Sequence, residues 1–122
     1  MKKQVAGTIM VNDDQGTRFL MQQLDGIVHF YRFQVLDGMT PLASVLWKLR
    51  HEVGIDVDQL RLFDSVMAEI EGEKVSLFVF NHMNVTPAIT AHFKQTGLSF
   101  VPASQLHQLF EQVNVAFKEN SK

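Results

Sequence analysis

The sequence predicts a single α+β domain over residues 1–122, in which helices pack on a mixed, mostly antiparallel sheet. Its length, with 46% apolar and 20% charged residues, suits one globular domain that has its own core. Extended segments and segments with helical apolar spacing follow one another in the order strands, helix, strands, helix. That order predicts an α+β layer architecture, with helices packed on a mostly antiparallel or mixed sheet.

The first third of the chain predicts an antiparallel meander of three strands. We expect these strands over residues 5–11, 18–24 and 27–35. Turn chemistry separates the first two, and the dipeptide Asp25-Gly26 is a strong hairpin signal between the second and the third.

The clearest helix signal covers residues 40–53. Thr40 is a favourable N-cap, Pro41 suits the first helical position, and Gly54 can end the helix in a left-handed conformation. Apolar residues recur on one face at helical spacing, and we predict that this face is buried. Its members are Leu42, Val45, Leu46, Leu49 and Val53.

The other side of the same helix is chemically mixed. At about 100° per residue, Ser44, Trp47 and His51 lie opposite the apolar stripe, with Lys48 and Glu52 on one flank. This side therefore combines an indole, an imidazole, one cation and one anion.

The second half of the chain predicts a hairpin of two strands, over residues 60–70 and 74–82, with an acidic turn between them. Residues 86–97 are expected to form an irregular loop with at most a short helical turn, and residues 98–101 a short strand. Pro102 then introduces a last helix. Its expected buried face is Leu106, Leu109, Phe110, Val113 and Phe117.

Composition narrows the class of protein. The 11 basic and 13 acidic residues give a net charge of -2, which argues against duplex nucleic acid or an anionic membrane surface as the main partner. The absence of cysteine excludes disulfides, thiolate metal sites and cysteine nucleophiles. No apolar run has the length of a signal sequence or a membrane span, so we expect a cytoplasmic protein.

Residues 30–55 resemble the Nudix box, the motif G-x5-E-x7-R-E-U-x-E-E-x-G-U in which U is a bulky aliphatic residue. The stretch Gly38-Met39-Thr40-Pro41 stands where family members often have Gly-Glu-Thr-Pro, Leu49 fills the aliphatic position, and Gly54-Ile55 form the closing pair. The resemblance implies a Nudix-like α/β/α sandwich with the box helix and a C-terminal helix.

The catalytic positions of the box depart from the family pattern. In the family, a glutamate cluster holds magnesium or manganese ions that assist attack of water on a diphosphate. Here the first glycine and the first glutamate are replaced by Phe33 and Met39, and the arginine by Trp47. Lys48 and His51 replace two further glutamates, so Glu52 is the one box carboxylate that remains. We therefore expect no cofactor, with Mg²⁺ or Mn²⁺ relevant only if the chain is an enzyme.

Three functions stay open at this stage. The favoured one is a Nudix-like module that has lost hydrolase activity and binds a nucleotide-like ligand or a protein. The second is a divergent hydrolase of a nucleoside diphosphate derivative, in which Glu52 and carboxylates of the acidic turn hold an ion. The third is a structural homodimer subunit, since a tryptophan outside the core and ten phenylalanines predict self-association.

The candidate ligand-binding residues are Trp47, Lys48, His51 and Arg32, and the candidate metal ligand is Glu52. Each also has a purely structural interpretation. The indole can be covered by a neighbouring segment, His51 can pack on that indole, and Arg32 can lie on a strand face. Glu52 can pair with Lys48, because residues four apart are neighbours on a helix.

Overall fold

The computed structural model describes residues 3–14, 16–70 and 72–106, and it confirms the mixed sheet with two helices. The strands are β1 (Gln4–Asp13), β2 (Gly16–Leu24), β3 (Ile27–His29), β4 (Tyr31–Gln34), β5 (Arg61–Ile70), β6 (Glu73–Asn81) and β7 (Leu98–Pro102). The helices are α1 (Pro41–Lys48), which continues as a π-helical turn over Leu49–Val53, and α2 (Pro87–Gln95). Two 3₁₀ turns cover Val57–Gln59 and Ala103–Leu106.

The sheet is organised around β1, which belongs to both halves of it. The first half of β1 pairs in parallel with β6 and antiparallel with β4, and its second half pairs antiparallel with β2. The main order is β3-β2-β1-β6-β5, and β7 also pairs with β2 outside this order. All pairs except β1–β6 are antiparallel, as the sequence predicted.

The predicted third strand, over residues 27–35, is wrong in one respect, because it is two strands. β3 pairs with β2, whereas β4 pairs with β1. The chain must therefore change its partner strand, and the ladder breaks at Phe30. The side chain of Phe30 is buried in the core at this break. The hairpin before it is confirmed, with Asp25 and Gly26 both at positive φ (54° and 77°), as a tight two-residue turn requires.

Helix α1 packs closely on β1. Thr40 caps it by accepting a hydrogen bond from the Ala43 amide, at 3.1 Å. A Cβ atom on Gly7 of β1 would lie 2.6 Å from Cγ1 of Val45, so only glycine fits beneath the helix there. The helix ends as predicted at Gly54, which has a φ of 83°.

The burial predicted for α1 is partly wrong. Val45, Leu49 and Val53 are buried, but Leu42 and Leu46 are only half-buried. Ser44, expected on the opposite side, is fully buried. The segment before the helix folds back over it, and the Leu36 amide donates a hydrogen bond to Ser44 Oγ at 2.9 Å.

The irregular loop predicted over residues 86–97 is wrong, since this segment is helix α2. Thr86 caps it by accepting from the Ile89 amide at 3.2 Å, and Pro87 is its first residue. Phe93 anchors it in the same core cluster as Val45 and Leu49 of α1. Both helices therefore lie on one face of the sheet.

The last predicted helix falls mainly beyond the described residues. Leu106 is buried on the sheet face opposite α1 and α2, at the end of a 3₁₀ turn. The other four residues of the predicted face, from Leu109 to Phe117, lie outside the part of the chain that the structure describes. Within the described part, no helix has the length and apolar character needed to cross a membrane.

Candidate functional site

The candidate site lies where the C-terminal half of α1 and its π turn pass over β4. The helix contributes Trp47, Lys48, His51 and Glu52, and β4 contributes Tyr31 and Phe33. Because strand side chains alternate between the two faces, Tyr31 and Phe33 share the face that α1 covers. Their rings lie 5.3 Å apart and form an aromatic floor beneath the helix.

Both carboxylate oxygens of Glu52 are engaged by protein groups. Lys48 Nζ donates to Glu52 Oε2 at 2.6 Å, and the Tyr31 hydroxyl donates to Oε1 at 3.3 Å. The ammonium of Lys48 also lies 5.3 Å from the centroid of the Phe33 ring, a distance at which the ring attracts a cation. The ion pair between Lys48 and Glu52 that their spacing predicts is therefore present.

The electrostatics of Tyr31 follow from this contact. Burial, the negative charge of Glu52 and the hydrogen bond to Glu52 together raise the pKa of Tyr31 well above the ordinary range of a phenol. Burial is the largest cause, because it disfavours the charged phenolate. Tyr31 therefore stays a hydrogen-bond donor to Glu52 at all physiological pH values.

Trp47 and His51 form a second, more open part of the site. Their rings lie one helical turn apart, with centroids 4.6 Å apart and planes tilted by 37°. Trp47 remains 38% exposed, so the described residues leave much of the indole open to solvent. An exposed indole backed by an imidazole is a flat surface on which another ring can stack.

Arg32 is not brought together with the other candidates. It lies between Tyr31 and Phe33 on β4 and pairs with Ala6, which belongs to the core cluster on the opposite face of the sheet. Its side chain is half-buried on that face. The structural interpretation of Arg32 as a strand-face residue therefore fits its position.

The side chains present do not fit the metal ions of the Nudix box. Among the described residues, no three histidine, aspartate or glutamate side chains cluster closely enough to hold an ion. Glu69 and Glu73, on the exposed β5–β6 hairpin, do not form such a cluster with Glu52. Lys48 also places a positive charge 2.6 Å from Glu52, where an ion would need a further oxygen ligand.

Tyr31 and Phe33 are the site residues that sequence reasoning missed. Two aromatic residues at positions i and i+2 of a strand share one face, and this spacing is the signal that indicates an aromatic floor. What the spacing does not show is that α1 covers that face.

Comparison with known proteins supports the fold alone. No family model and no curated protein matches the chain. Among solved structures, a Nudix hydrolase from M. smegmatis, RenU, superposes with a TM-score of 0.63 at 13% identity, covering 88% of this chain and 74% of that one. An Ap4A hydrolase from C. elegans gives 0.57 at 13% identity, covering 97% and 90%. NrtR from Shewanella oneidensis gives 0.62 at 12% identity, covering 88% and 55%. The chain has a Nudix-like fold.

Proposed function

We propose that this Nudix-like chain is a binding module for a nucleotide-like ligand and that it has lost metal-dependent hydrolysis. One observation carries the proposal: the remaining box carboxylate, Glu52, is held by Lys48 and Tyr31 instead of facing an ion site. Hydrolysis in this family depends on ions that neutralise a diphosphate and activate water. A carboxylate already neutralised by an ammonium is a poor ligand for such ions.

The stacked pair Trp47–His51 supports a ligand that carries a flat ring. Stacking of a nucleobase on an aromatic side chain contributes about 1–3 kcal/mol, and an exposed indole offers a large surface for it. Lys48 lies one residue after Trp47, and a phosphate of the same ligand would compete with Glu52 for its ammonium. Ligand binding of this kind needs no metal ion.

The proposal is tested by calorimetric titration with ADP and with diadenosine tetraphosphate, the substrate named for one fold neighbour. EDTA is present throughout. We expect saturable binding, and we expect Trp47→Leu to weaken it about tenfold or more because the base loses its stacking surface. Phe63→Leu is the matched control, since Phe63 is an exposed aromatic residue on β5. Absence of binding by both nucleotides would refute the proposal.

A separate assay distinguishes the binding module from a divergent hydrolase. The protein is incubated with the same nucleotides and Mg²⁺ or Mn²⁺, and product release is followed. We expect no turnover that depends on the ion. Turnover near about 1 s⁻¹ that disappears in Glu52→Gln would establish the hydrolase instead.

An exposed apolar stripe favours the homodimer as a second candidate. Leu62, Phe63 and Met67 on β5 are 47%, 53% and 54% exposed, and β5 is the end strand of the main sheet order. Exposed apolar side chains on an end strand are suited to contact with another chain. Sedimentation at tens of micromolar tests this candidate: a species of 13.9 kDa alone would contradict it.

A further inference from the structure

A cavity that is separate from the site on α1 lies between α2 and β7, the strand that follows it. Its volume is about 240 Å³. Its walls are mainly apolar, formed by Phe93 of α2 and by Leu98 and Phe100 of β7, and two cationic residues, Arg18 and Lys94, also line it. Apolar walls with a few polar or charged groups are the usual lining of a ligand site, and the small volume restricts this one to a small molecule.

Arg18 is held in place but keeps one donor unused. Its Nη2 donates to Asp13 Oδ2 at 2.5 Å, and its guanidinium carbon lies 5.7 Å from the centroid of the Phe100 ring. Its Nε is buried and has no hydrogen-bond partner among the described residues. Because Nε has almost no accessible surface, an anion in the cavity would interact with the charge and the terminal nitrogens of the guanidinium rather than with Nε.

Lys94 extends the positive charge along a continuous surface. It lines this cavity and also a wider groove of about 470 Å³ along α2, and Val85 and Thr90 are shared by both spaces. The groove adds Pro87 and Ala91, so its surface is also mainly apolar. The apolar part of a ligand can therefore lie along α2 while the acidic group of the same ligand stays near Arg18 and Lys94.

We propose that this cavity binds a small anion with an apolar body, in the form of a carboxylate or a phosphate monoester. Arg18 and Lys94 carry two positive charges, whereas Asp13 contributes one negative charge, so the lining favours an anion. Hydrogen bonds between a guanidinium and an anionic oxygen are among the stronger ones in proteins. The apolar walls select against free inorganic anions, because these anions have no apolar group to bury.

This cavity is separate from the site on α1. Phe33 of the aromatic floor pairs with Val5 of β1, and Tyr31 pairs with Gly7, whereas Arg18 pairs with Val11. Gly7 and Val11 are about 13 Å apart along one strand at ~3.3 Å per residue. The two sites share no lining residue, so each can be occupied without the other.

The test is an NMR titration of the ¹⁵N-labelled full chain with four probes. Phenyl phosphate and phenylacetate carry the two acidic groups, benzyl alcohol is the neutral analogue, and inorganic phosphate has no apolar body. We expect at least one aromatic anion to saturate at millimolar concentration and to shift amides of Thr90, Lys94, Leu98 and Phe100. Benzyl alcohol and inorganic phosphate are expected to bind at least about tenfold more weakly, because each lacks one half of the interaction. If phenyl phosphate alone binds, the ligand class is a phosphate monoester. If phenyl phosphate and phenylacetate both bind, the ligand class also includes carboxylates.

Variants then assign the effect to the two cations. Arg18→Gln is expected to weaken binding about tenfold, and Lys94→Gln severalfold, since each removes a charge that faces the anion. Arg61→Gln is the matched control, because Arg61 is an exposed arginine on β5 outside the cavity, and it should leave affinity unchanged. If Arg18→Gln fails to fold, Lys94→Gln decides alone. Equal affinity for benzyl alcohol, shifts confined to α1, or no binding of any probe at millimolar concentration would overturn the proposal.

Discussion

The two helices on one face of the sheet begin in the same way and differ in how they are held. Each starts with Thr-Pro, and in each the threonine hydroxyl accepts a hydrogen bond from the amide three residues later. Helix α1 and its π turn then bury Val45, Leu49 and Val53 along their whole length, whereas α2 fully buries Phe93 alone. The cap therefore determines where a helix begins, while apolar spacing determines how tightly it packs.

The difference in packing matches a difference in the sites beside the helices. Beneath α1 there is so little space that Gly7 is needed on β1. The open part of the α1 site is therefore on the outer side of the helix, at Trp47 and His51. Beside α2, by contrast, a cavity remains that Phe93 and Phe100 both line, and the cations Arg18 and Lys94 also line it.

The largest expected effect tests how the buried apolar side chains hold each helix on the sheet. Leu49→Ala should lower the free energy of unfolding by about 2–5 kcal/mol, because it opens a cavity in a fully packed stripe. Ile89→Ala on α2 should lower it by only about 1–2 kcal/mol, since Ile89 is half exposed and its loss uncovers less apolar area. Urea unfolding followed by circular dichroism measures both values. Equal effects would remove the distinction between the helices.

A second experiment introduces the carboxylates of the Nudix pattern on and just before α1. The triple variant Met39→Glu, Lys48→Glu and His51→Glu adds three glutamates to Glu52 at the positions of that pattern. We expect Mn²⁺ at a hundred times its dissociation constant to stabilise this variant by about 2.7 kcal/mol and to leave the parent chain unchanged. Thermal unfolding with and without Mn²⁺ measures the effect.

The control for that experiment uses α2. Glutamates at the exposed positions Ala88, Ala91 and Lys94 make the same change of four charge units, because the lysine contributes two of them, on a helix that has no box geometry. We expect Mn²⁺ to leave this variant unaffected. Equal stabilisation of both variants would show that charge alone, rather than the position on α1, binds the ion.

The N-caps should give smaller and equal effects. Thr40→Ala and Thr86→Ala each remove one side-chain acceptor of similar geometry, at 3.1 and 3.2 Å, so each should cost about 1 kcal/mol. Thermal or urea unfolding measures both. A clearly larger loss for Thr40→Ala would mean that the tighter packing of α1 depends on its cap.

The smallest effect concerns Tyr31 beneath α1, the single tyrosine of the chain. Because the pKa of Tyr31 is raised in the folded state, the folded chain holds the phenol proton more strongly than the unfolded chain. The resulting stability is fully present below the ordinary phenol pKa of about 10 and is lost as the pH rises above it. Ultraviolet absorbance of the phenolate should report ionisation above that pH, and Glu52→Gln should lower the pKa because it removes the neighbouring charge. An unchanged titration in Glu52→Gln would contradict the contact.

The strands, the hairpins and α1 could be predicted because their signals are local. Thr40-Pro41 was recognised as a helix start because five apolar residues follow at helical spacing. Thr86-Pro87 carries the same signal, but α2 offers only Ile89 and Phe93 as an apolar face, so the periodicity was too weak to support it. The break at Phe30 was not visible, because it depends on which strand each half pairs with.

In the two sites, too, the contacts that could be predicted are those that depend on local sequence spacing. The Lys48–Glu52 pair and the Trp47–His51 stack follow from helical spacing, and both could be predicted from the sequence. The bond from Tyr31 to Glu52 depends on how α1 crosses β4, which no local pattern specifies. The cavity near Arg18 was also missed, because Arg18, Lys94 and Phe100 come from three distant parts of the chain.

The central position of β1 has a consequence for how the chain folds. β1 is the first strand of the chain, yet its parallel partner, β6, comes after α1 and β5, as in the pair Gln4–Val75. Contacts between residues so far apart in sequence close slowly, because the entropy of the intervening loop is lost before the contact forms. The local hairpins, β2–β3 and β5–β6, can form earlier and present their edges to β1. Apart from the order of folding, amides in the first half of β1 are paired on both sides, so they should be among the last to exchange with deuterium in the native state.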